Sequence, residues 1–180
     1  YEIGLALQDK YAKKESGQYY TPDDVANVMA NWFDMLPAQN ICDVACGTGK
    51  LILTYLDSIG FVKARNILKN GLLYLYDNDR TALTICKTIL VCKYGKDVDS
   101  LIHTVCGDFI RKDIVLPDNC KVISNPPYAS VGDIPHSWNT TEIATKTKEL
   151  YAIFMEKIIK QSRCSVIITP FSFLGGNKFL

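Results

Sequence analysis

Ile41-Cys42-Asp43-Val44-Ala45-Cys46-Gly47-Thr48-Gly49-Lys50 decides the fold: a short apolar strand ends on a carboxylate, turns on two glycines and starts a helix predicted over 50–58. The same change of period recurs outward in both directions. Upstream, Thr21-Pro22-Asp23-Asp24 reads as a helix start, with a hydroxyl cap, a first-turn proline and two acids facing the helix dipole; Val25, Val28, Met29 and Trp32 follow at helical spacing and Pro37 stops the run. Downstream, 72–76 reads as a strand ending at Asp77-Asn78-Asp79, and 81–94 as a helix. Residues 101–105, 121–124 and 165–169 read as three more strands, with an amphipathic helix over 149–161. Strands without a clean polar side, alternating with helices, indicate an α/β fold: a doubly wound, mostly parallel sheet with helices on both faces. Ligands bind such sheets at the carboxyl ends of the strands, near the point where strand order reverses.

Four predicted strands carry polar punctuation at that end: Asp43 with its glycine turn, Asp77, then Gly107-Asp108-Phe109, and Asn125-Pro126-Pro127-Tyr128. Each has two readings. Gly47-x-Gly49 alone is common for backbone geometry. Asp43 beside it repels phosphate, and the loop lacks both a dinucleotide fingerprint and a P-loop, so it suits a cationic or polyhydroxyl ligand. Asp77 can cap a helix or accept from both hydroxyls of a ribose. Asp108 can make a plain turn, or accept from an exocyclic amine while Phe109 packs on the ring. The Asn-Pro-Pro-Tyr stretch can close a strand, since proline cannot donate to a ladder. It can equally form a clamp in which the Asn carbonyl and a proline-fixed backbone carbonyl take the two hydrogens of a planar amine and Tyr128 covers its face.

Composition bounds these readings. At 180 residues, 48% apolar, 22% charged and net charge +1, the chain suits one globular domain, and disorder and low complexity are excluded. No apolar run approaches a membrane span and the amino end lacks a signal-peptide layout, so a cytoplasmic protein is expected. The seven cysteines show no metal-ligand spacing and read as reduced, small core residues; no metal site is expected. Near-neutral charge is weak for a protein gripping nucleic acid unaided.

With these motifs in this order, the chain resembles the catalytic domain of an adenine-N6 DNA methyltransferase from a restriction-modification system, with a Rossmann-like class I methyltransferase fold. Gly17-Gln18-Tyr19-Tyr20-Thr21-Pro22 resembles the amino-terminal cofactor segment, and Asp43-Val44-Ala45-Cys46-Gly47-Thr48-Gly49 the S-adenosylmethionine loop. Asp77 and Asn78 fall at the ribose position, Asp108 and Phe109 at the adenine-contacting motif, and Asn125, Pro126, Pro127 and Tyr128 at the catalytic motif. The implied cofactor contacts are therefore Tyr20, Thr21, Asp43, Ala45, Cys46, Gly47, Thr48, Gly49, Asp77, Asn78, Asp108 and Phe109. The motif order is similar to the gamma arrangement of type I modification subunits and fused type II enzymes. One departure is Val44, where many members carry proline; it is expected to alter loop rigidity more than ligand identity.

The resemblance implies double-stranded DNA as partner, a flipped adenine stacked on Tyr128, and specificity and restriction subunits or a fused recognition domain. Asn rather than Ser in the catalytic motif favours adenine over cytosine-N4, and none of the cysteines follows a proline as a cytosine-C5 nucleophile would. RNA adenine and protein-glutamine methyltransferases share the clamp; Tyr19-Tyr20-Thr21-Pro22 favours the DNA group. A cofactor- or DNA-binding subunit without its own activity is the alternative of another class. The absent initiator Met, and the further strands and recognition domain with which the resembling enzymes continue, lead to the expectation of a single domain over 1–180 that is a fragment lacking its last strands, inactive alone or partner-dependent. The long polar stretch 129–148 reads equally as a solvated loop or as a segment ordering over the base, with Trp138, Lys146 or Lys148 near DNA; Phe171 and Phe173 read as core or base-pocket residues.

Overall fold

The computed structural model describes residues 21–132, Trp138 and residues 146–171. Tyr20 with the rest of the amino-terminal segment, most of the polar stretch after Gly132, and Phe173 lie outside the described residues. The element order is α1 (Asp23–Asp34), β1 (Asn40–Val44), α2 (Lys50–Ser58), α3 (Phe61–Lys69), β2 (Leu73–Asp77), α4 (Arg80–Tyr94), a 3-10 helix (Lys96–Leu101), β3 (His103–Cys106), β4 (Cys120–Ser124), α5 (Leu150–Gln161) and β5 (Cys164–Ile167).

The strands form one five-stranded sheet in the order β3-β2-β1-β4-β5, and every pairing is parallel. The chain winds outward from β1 through β2 to β3, then returns to lay β4 on the other side of β1. Side chains alternate across the pleat. One face buries Ile41, Leu73, Leu75 and Ile123 under α1 to α4; the other buries Cys42, Val44, Tyr76 and Val122 under α5 and the loop residues Phe109, Ile110 and Leu116. The doubly wound expectation is therefore met. Among the described residues no helix is long and apolar enough to cross a membrane.

Several local expectations are corrected. On α1 the buried residues are Ala26, Met29, Ala30 and Phe33, while Val25, Val28 and Trp32 are exposed. The two alanines let α1 approach its neighbours closely, so residue size misidentifies the inward face. Thr21 does not cap α1: Pro22 holds the cap position, with no side-chain cap bond. Helix α3 is an addition to the expected elements, and only Ala64 and Leu68 of its nine residues are buried. The 3-10 turn, anchored by buried Val98, delays β3 to His103. Of the cysteines, Cys42, Cys46, Cys86 and Cys120 are buried, but Cys92 and Cys106 are exposed.

Lys121, at the base of β4, is nearly buried. Its Nζ donates to the Phe33 carbonyl at 2.8 Å and the Tyr55 hydroxyl at 3.3 Å, and lies 4.5 Å from the Phe33 ring centroid. It thus adds a second donor to a carbonyl in the last turn of α1, which also accepts from Leu36 N–H at 3.2 Å.

Candidate active site

The reversal of strand order places the carboxyl ends of β1 and β4 side by side, with Val44 opposite Ser124. Ser124 Oγ donates to the Val44 carbonyl at 2.7 Å, tying the two ends together. The β1 loop is tied in turn to β2: Cys46 N–H donates to the Tyr76 carbonyl at 3.1 Å and Gly47 N–H to Asp77 Oδ2 at 2.7 Å. Gly107 N–H then donates to the Asp77 carbonyl at 2.9 Å, joining the β3 loop. Four loops distant in sequence become one rim around a cleft.

That cleft is lined by Thr21, Asp43, Ala45, Cys46, Gly47, Thr48, Asp77, Asn78, Asp108, Phe109, Asn125 and Pro127, twelve of the residues singled out from sequence. Gly49, Pro126 and Tyr128 do not border it, and Tyr20 lies outside the described residues. The sequence reading missed Leu150 and Phe154, which also line it; they sit on α5, whose amphipathic pattern signalled only core. Trp138, expected near DNA, lines the same cleft and pairs in an antiparallel bridge with Arg111.

The β1 loop turns sharply. Ala45 has φ +58°, a left-handed conformation that costs a side-chain-bearing residue about 1–2 kcal/mol. Strain of this kind is retained where the surrounding contacts dictate it, commonly at functional sites. Asp43 lies beneath the turn with no solvent exposure. Its Oδ2 accepts from Ile52 N–H at 3.2 Å, in the first turn of α2, but its Oδ1 has no hydrogen-bond partner among the described residues. Burial pushes the Asp43 carboxyl well above the usual carboxylate range, opposed by the Ile52 bond and reinforced by the charge of Asp77. Asp77 is also raised, chiefly by burial, against the pull of N–H donors from Asp79 and Gly47.

The competing readings of the acids separate here. Asp79, not Asp77, caps α4, accepting from Thr81 N–H at 2.8 Å and Ala82 N–H at 3.2 Å. Asp77 is therefore left to the loop and the cleft. Asp108 makes the turn, its Oδ1 accepting from Ile110 N–H at 3.3 Å, and it also borders the cleft. Phe109 is held edge-on by Tyr76, centroids 5.7 Å apart.

Asn125 follows β4, next to β1 in the sheet, and borders the same cleft as these acids. Its Nδ2 donates to Thr21 Oγ1 at 3.1 Å, so the residue expected to cap α1 instead orients the Asn125 amide. Its Oδ1 accepts from the Tyr128 hydroxyl at 2.7 Å, and that hydroxyl also lies 3.3 Å from the Ile168 carbonyl. The Tyr128 ring meets Tyr151 edge to face at 6.0 Å, and burial pushes its hydroxyl up to about 12.

The parallel sheet, with acids and an amide gathered at its switch point, has the Rossmann-like class I methyltransferase fold. Residues 1–178 match the N-6 DNA methylase family, and the chain belongs to it. It is 22% identical, over 150 residues, to the type I restriction enzyme MpnII methylase subunit of Mycoplasma pneumoniae; the match covers 72% of this chain and 25% of that protein. Among solved structures it is similar to a modification subunit of a putative type I restriction enzyme from Vibrio vulnificus, with TM-score 0.67, 18% identity, and coverage of 99% of this chain and 38% of the other. A putative class I S-adenosylmethionine-dependent methyltransferase from Listeria monocytogenes superposes with TM-score 0.60 at 16% identity, covering 98% of this chain and 53% of that one.

Family and fold imply S-adenosylmethionine, and the residues present fit it. Two buried, destabilised carboxylates in one cleft call for positive charge, and the unpartnered Asp43 Oδ1 is a buried acceptor of the kind an ammonium satisfies. A test follows from the sign of the shift. A carboxyl whose folded pKa lies above its unfolded value contributes stability below the unfolded value and loses it as pH rises through the folded one. Asp43→Asn is therefore expected to raise the melting temperature of the cofactor-free protein at neutral pH, with the gain fading toward about pH 4. The same substitution should weaken S-adenosylmethionine binding about tenfold or more, since a hydrogen bond to a charged group contributes about 1.5–3 kcal/mol. Calorimetric melts with and without the cofactor read both effects; no gain in the cofactor-free melt would contradict the buried charge.

Proposed function

We propose that this chain forms the catalytic domain of an S-adenosylmethionine-dependent DNA methyltransferase that modifies the N6 amine of adenine within a restriction-modification system. The observation that carries the reading is the position of Asn125. Its amide borders the same cleft as Asp43, Asp77 and Asp108, so an acceptor for an amine and acids for a cationic cofactor share one space.

The adenine amine is a poor nucleophile because its lone pair is delocalised into the ring. Asn125 Oδ1 at the cleft and the backbone carbonyl of Pro126, which lies beside Asn125 but does not line the cleft itself, would accept its two hydrogens, favouring a more pyramidal nitrogen whose lone pair points outward. Thr21 holds the Asn125 amide in orientation, and Pro127 stiffens the backbone behind it. Asp43 and the β1 loop hold the charged amino-acid end of the cofactor, Asp77 the ribose hydroxyls, and Asp108 with Phe109 the adenine ring. S-adenosylmethionine, when bound, would supply the methyl group on a sulfonium that becomes a neutral thioether as the N–C bond forms and the S–C bond breaks, and the methylated nitrogen then releases one proton to solvent. Asn125 and the acids thus serve by positioning and electrostatics, without a covalent intermediate on the protein.

An adenine inside a duplex cannot reach the cleft, so the substrate base is flipped out of double-stranded DNA. Specificity and restriction subunits, or a fused recognition domain, are the partners that would choose the site. The test is a titration of the full-length protein with S-adenosylmethionine followed by transfer of labelled methyl to adenine-containing duplexes and nucleoside analysis of the product. N6-methyladenine is the expected product. Label in N4-methylcytosine, in RNA or in protein instead would overturn the substrate assignment, and no cofactor binding would overturn the reaction class.

A further inference from the structure

The loop after β3 carries Asp108 and Phe109 to the cleft, yet little regular backbone bonding supports it. Within it Arg111 N–H donates to the Asp108 carbonyl at 3.1 Å and Ile114 N–H to the Arg111 carbonyl at 3.3 Å. Arg111 to Asp113 and Val115 are exposed, but Phe109, Ile110 and Leu116 are buried, and carbonyls that face the interior from an irregular segment need donors from outside it. Three of them converge on one side chain: Lys157, on α5, donates from Nζ to the carbonyls of Phe109 at 2.5 Å, of Arg111 at 2.6 Å, and of Ile114. An ammonium has three N–H donors and no acceptor, so donors and acceptors match in number. The same Nζ lies 4.7 Å from the Phe109 ring centroid, an attractive position for a cation.

Neighbouring turns of α5 continue the grip. Phe154 packs against the Phe109 ring with centroids 5.5 Å apart, and Gln161 Oε1 accepts from Leu116 N–H at 3.1 Å. Phe154, Lys157 and Gln161 stand at helical spacing on one face, so the helix holds the loop from its start to its end. Lys157 is only 2% exposed and makes no ion pair with a carboxylate among the described residues. Burial disfavours the ammonium, against the attraction of the Asp108 and Asp113 carboxylates, which form no close ion pair with it, and an apolar side chain of similar length would fill that volume at lower cost. A plain packing role therefore does not account for the charge; organisation of the loop backbone does.

We propose that Lys157 is a positioning residue for the adenine end of the cofactor, fixing the path of residues 109–114 and thereby the Phe109 ring and the Asp108 carboxylate at the cleft. The cofactor part rests on reading the cleft as an S-adenosylmethionine site. The full-length protein carrying Lys157→Met, which keeps the length of the stem without donors, is compared with wild type and with Lys157→Gln, which keeps a neutral donor. Amide hydrogen exchange without cofactor is expected to accelerate about tenfold or more between Ile110 and Leu116 in the Met variant, with β1 and β4 unchanged. Calorimetry should show S-adenosylmethionine bound about tenfold more weakly by the Met variant and less weakened in the Gln variant, with kcat at saturating cofactor within about twofold of wild type.

The exchange measurement needs no ligand. If wild type fails to bind S-adenosylmethionine while the loop amides respond as expected, the cofactor reading falls and the hold of Lys157 on the loop stands. Unchanged loop exchange, or unchanged affinity in a wild type that binds, overturns the proposal. Acceleration spread through β1 and β4 in both variants also overturns it, because Lys157 would then be a core residue only.

Discussion

Asn125→Ala is expected to lower methyl transfer about 10²–10³-fold at saturating S-adenosylmethionine, the range seen when one preorganised transition-state contact is removed. The cofactor dissociation constant should change little, because the acids that would hold the charged end and the ribose, Asp43 and Asp77, are fixed by other contacts: Ile52 N–H for the first, Gly47 and Asp79 N–H for the second. Transfer should fall without vanishing, since the Pro126 carbonyl survives the substitution. Thr21→Val separates acceptance from orientation. It leaves Asn125 Oδ1 in place but removes the hydroxyl to which Nδ2 donates, so a smaller loss of about tenfold is expected, in kcat rather than in cofactor binding. Single-turnover kinetics with cofactor titrations check both variants. Equal losses in transfer and cofactor affinity for Asn125→Ala would place Asn125 in the cofactor site and remove the amine-clamp role.

What was legible in the sequence follows from which signals are local. Strand β1, its glycine turn and α2 were readable because apolar period, carboxylate and helix start lie within a dozen adjacent residues. The four polar strand ends were readable for the same reason, and strand order then brings them together. The inward face of α1 was misread because Ala26 and Ala30 pack more tightly than larger Val25 and Trp32, a decision made by the neighbouring elements and invisible along the helix itself. Thr21 shows the same limit. Its position before Pro22 and two acids has every local mark of a cap, yet its hydroxyl accepts from a side chain 104 residues away. The role of Lys157 is not legible in the sequence, because nothing beside it announces three carbonyls supplied by a loop more than forty residues earlier.

Gly49→Ala is expected to be the most damaging single methyl that can be added to this site. Gly49 holds φ +94°, where a Cβ is strained, and that Cβ would lie 2.5 Å from Cys86 Sγ and 3.4 Å from Leu53 Cδ1. Backbone strain of about 1–2 kcal/mol and overpacking of about 1–3 kcal/mol together predict a loss of about 2–5 kcal/mol. For a domain of this size that is a fall in melting temperature of about 5–15 °C. The loop cannot simply lift away, because Gly49 N–H donates to the Cys46 carbonyl at 2.9 Å and the Gly49 carbonyl accepts from Leu53 N–H at 2.9 Å, the first bond of α2. Displacement would thus reach the cleft through Cys46 and weaken cofactor binding as well. The clash and the strain can be told apart with Cys86→Ala, which removes the sulfur that the new methyl meets. It has its own cost, because Cys86 is fully buried and its thiol pairs with that of Cys46, a contact that together with burial pushes the Cys46 thiol upward. In the double variant the clash is gone and the φ strain remains, so the two substitutions should be less destabilising together than their sum by about 1–2 kcal/mol. Urea unfolding of the four proteins measures that coupling, and strict additivity would show that the sulfur of Cys86 is not what requires glycine at position 49.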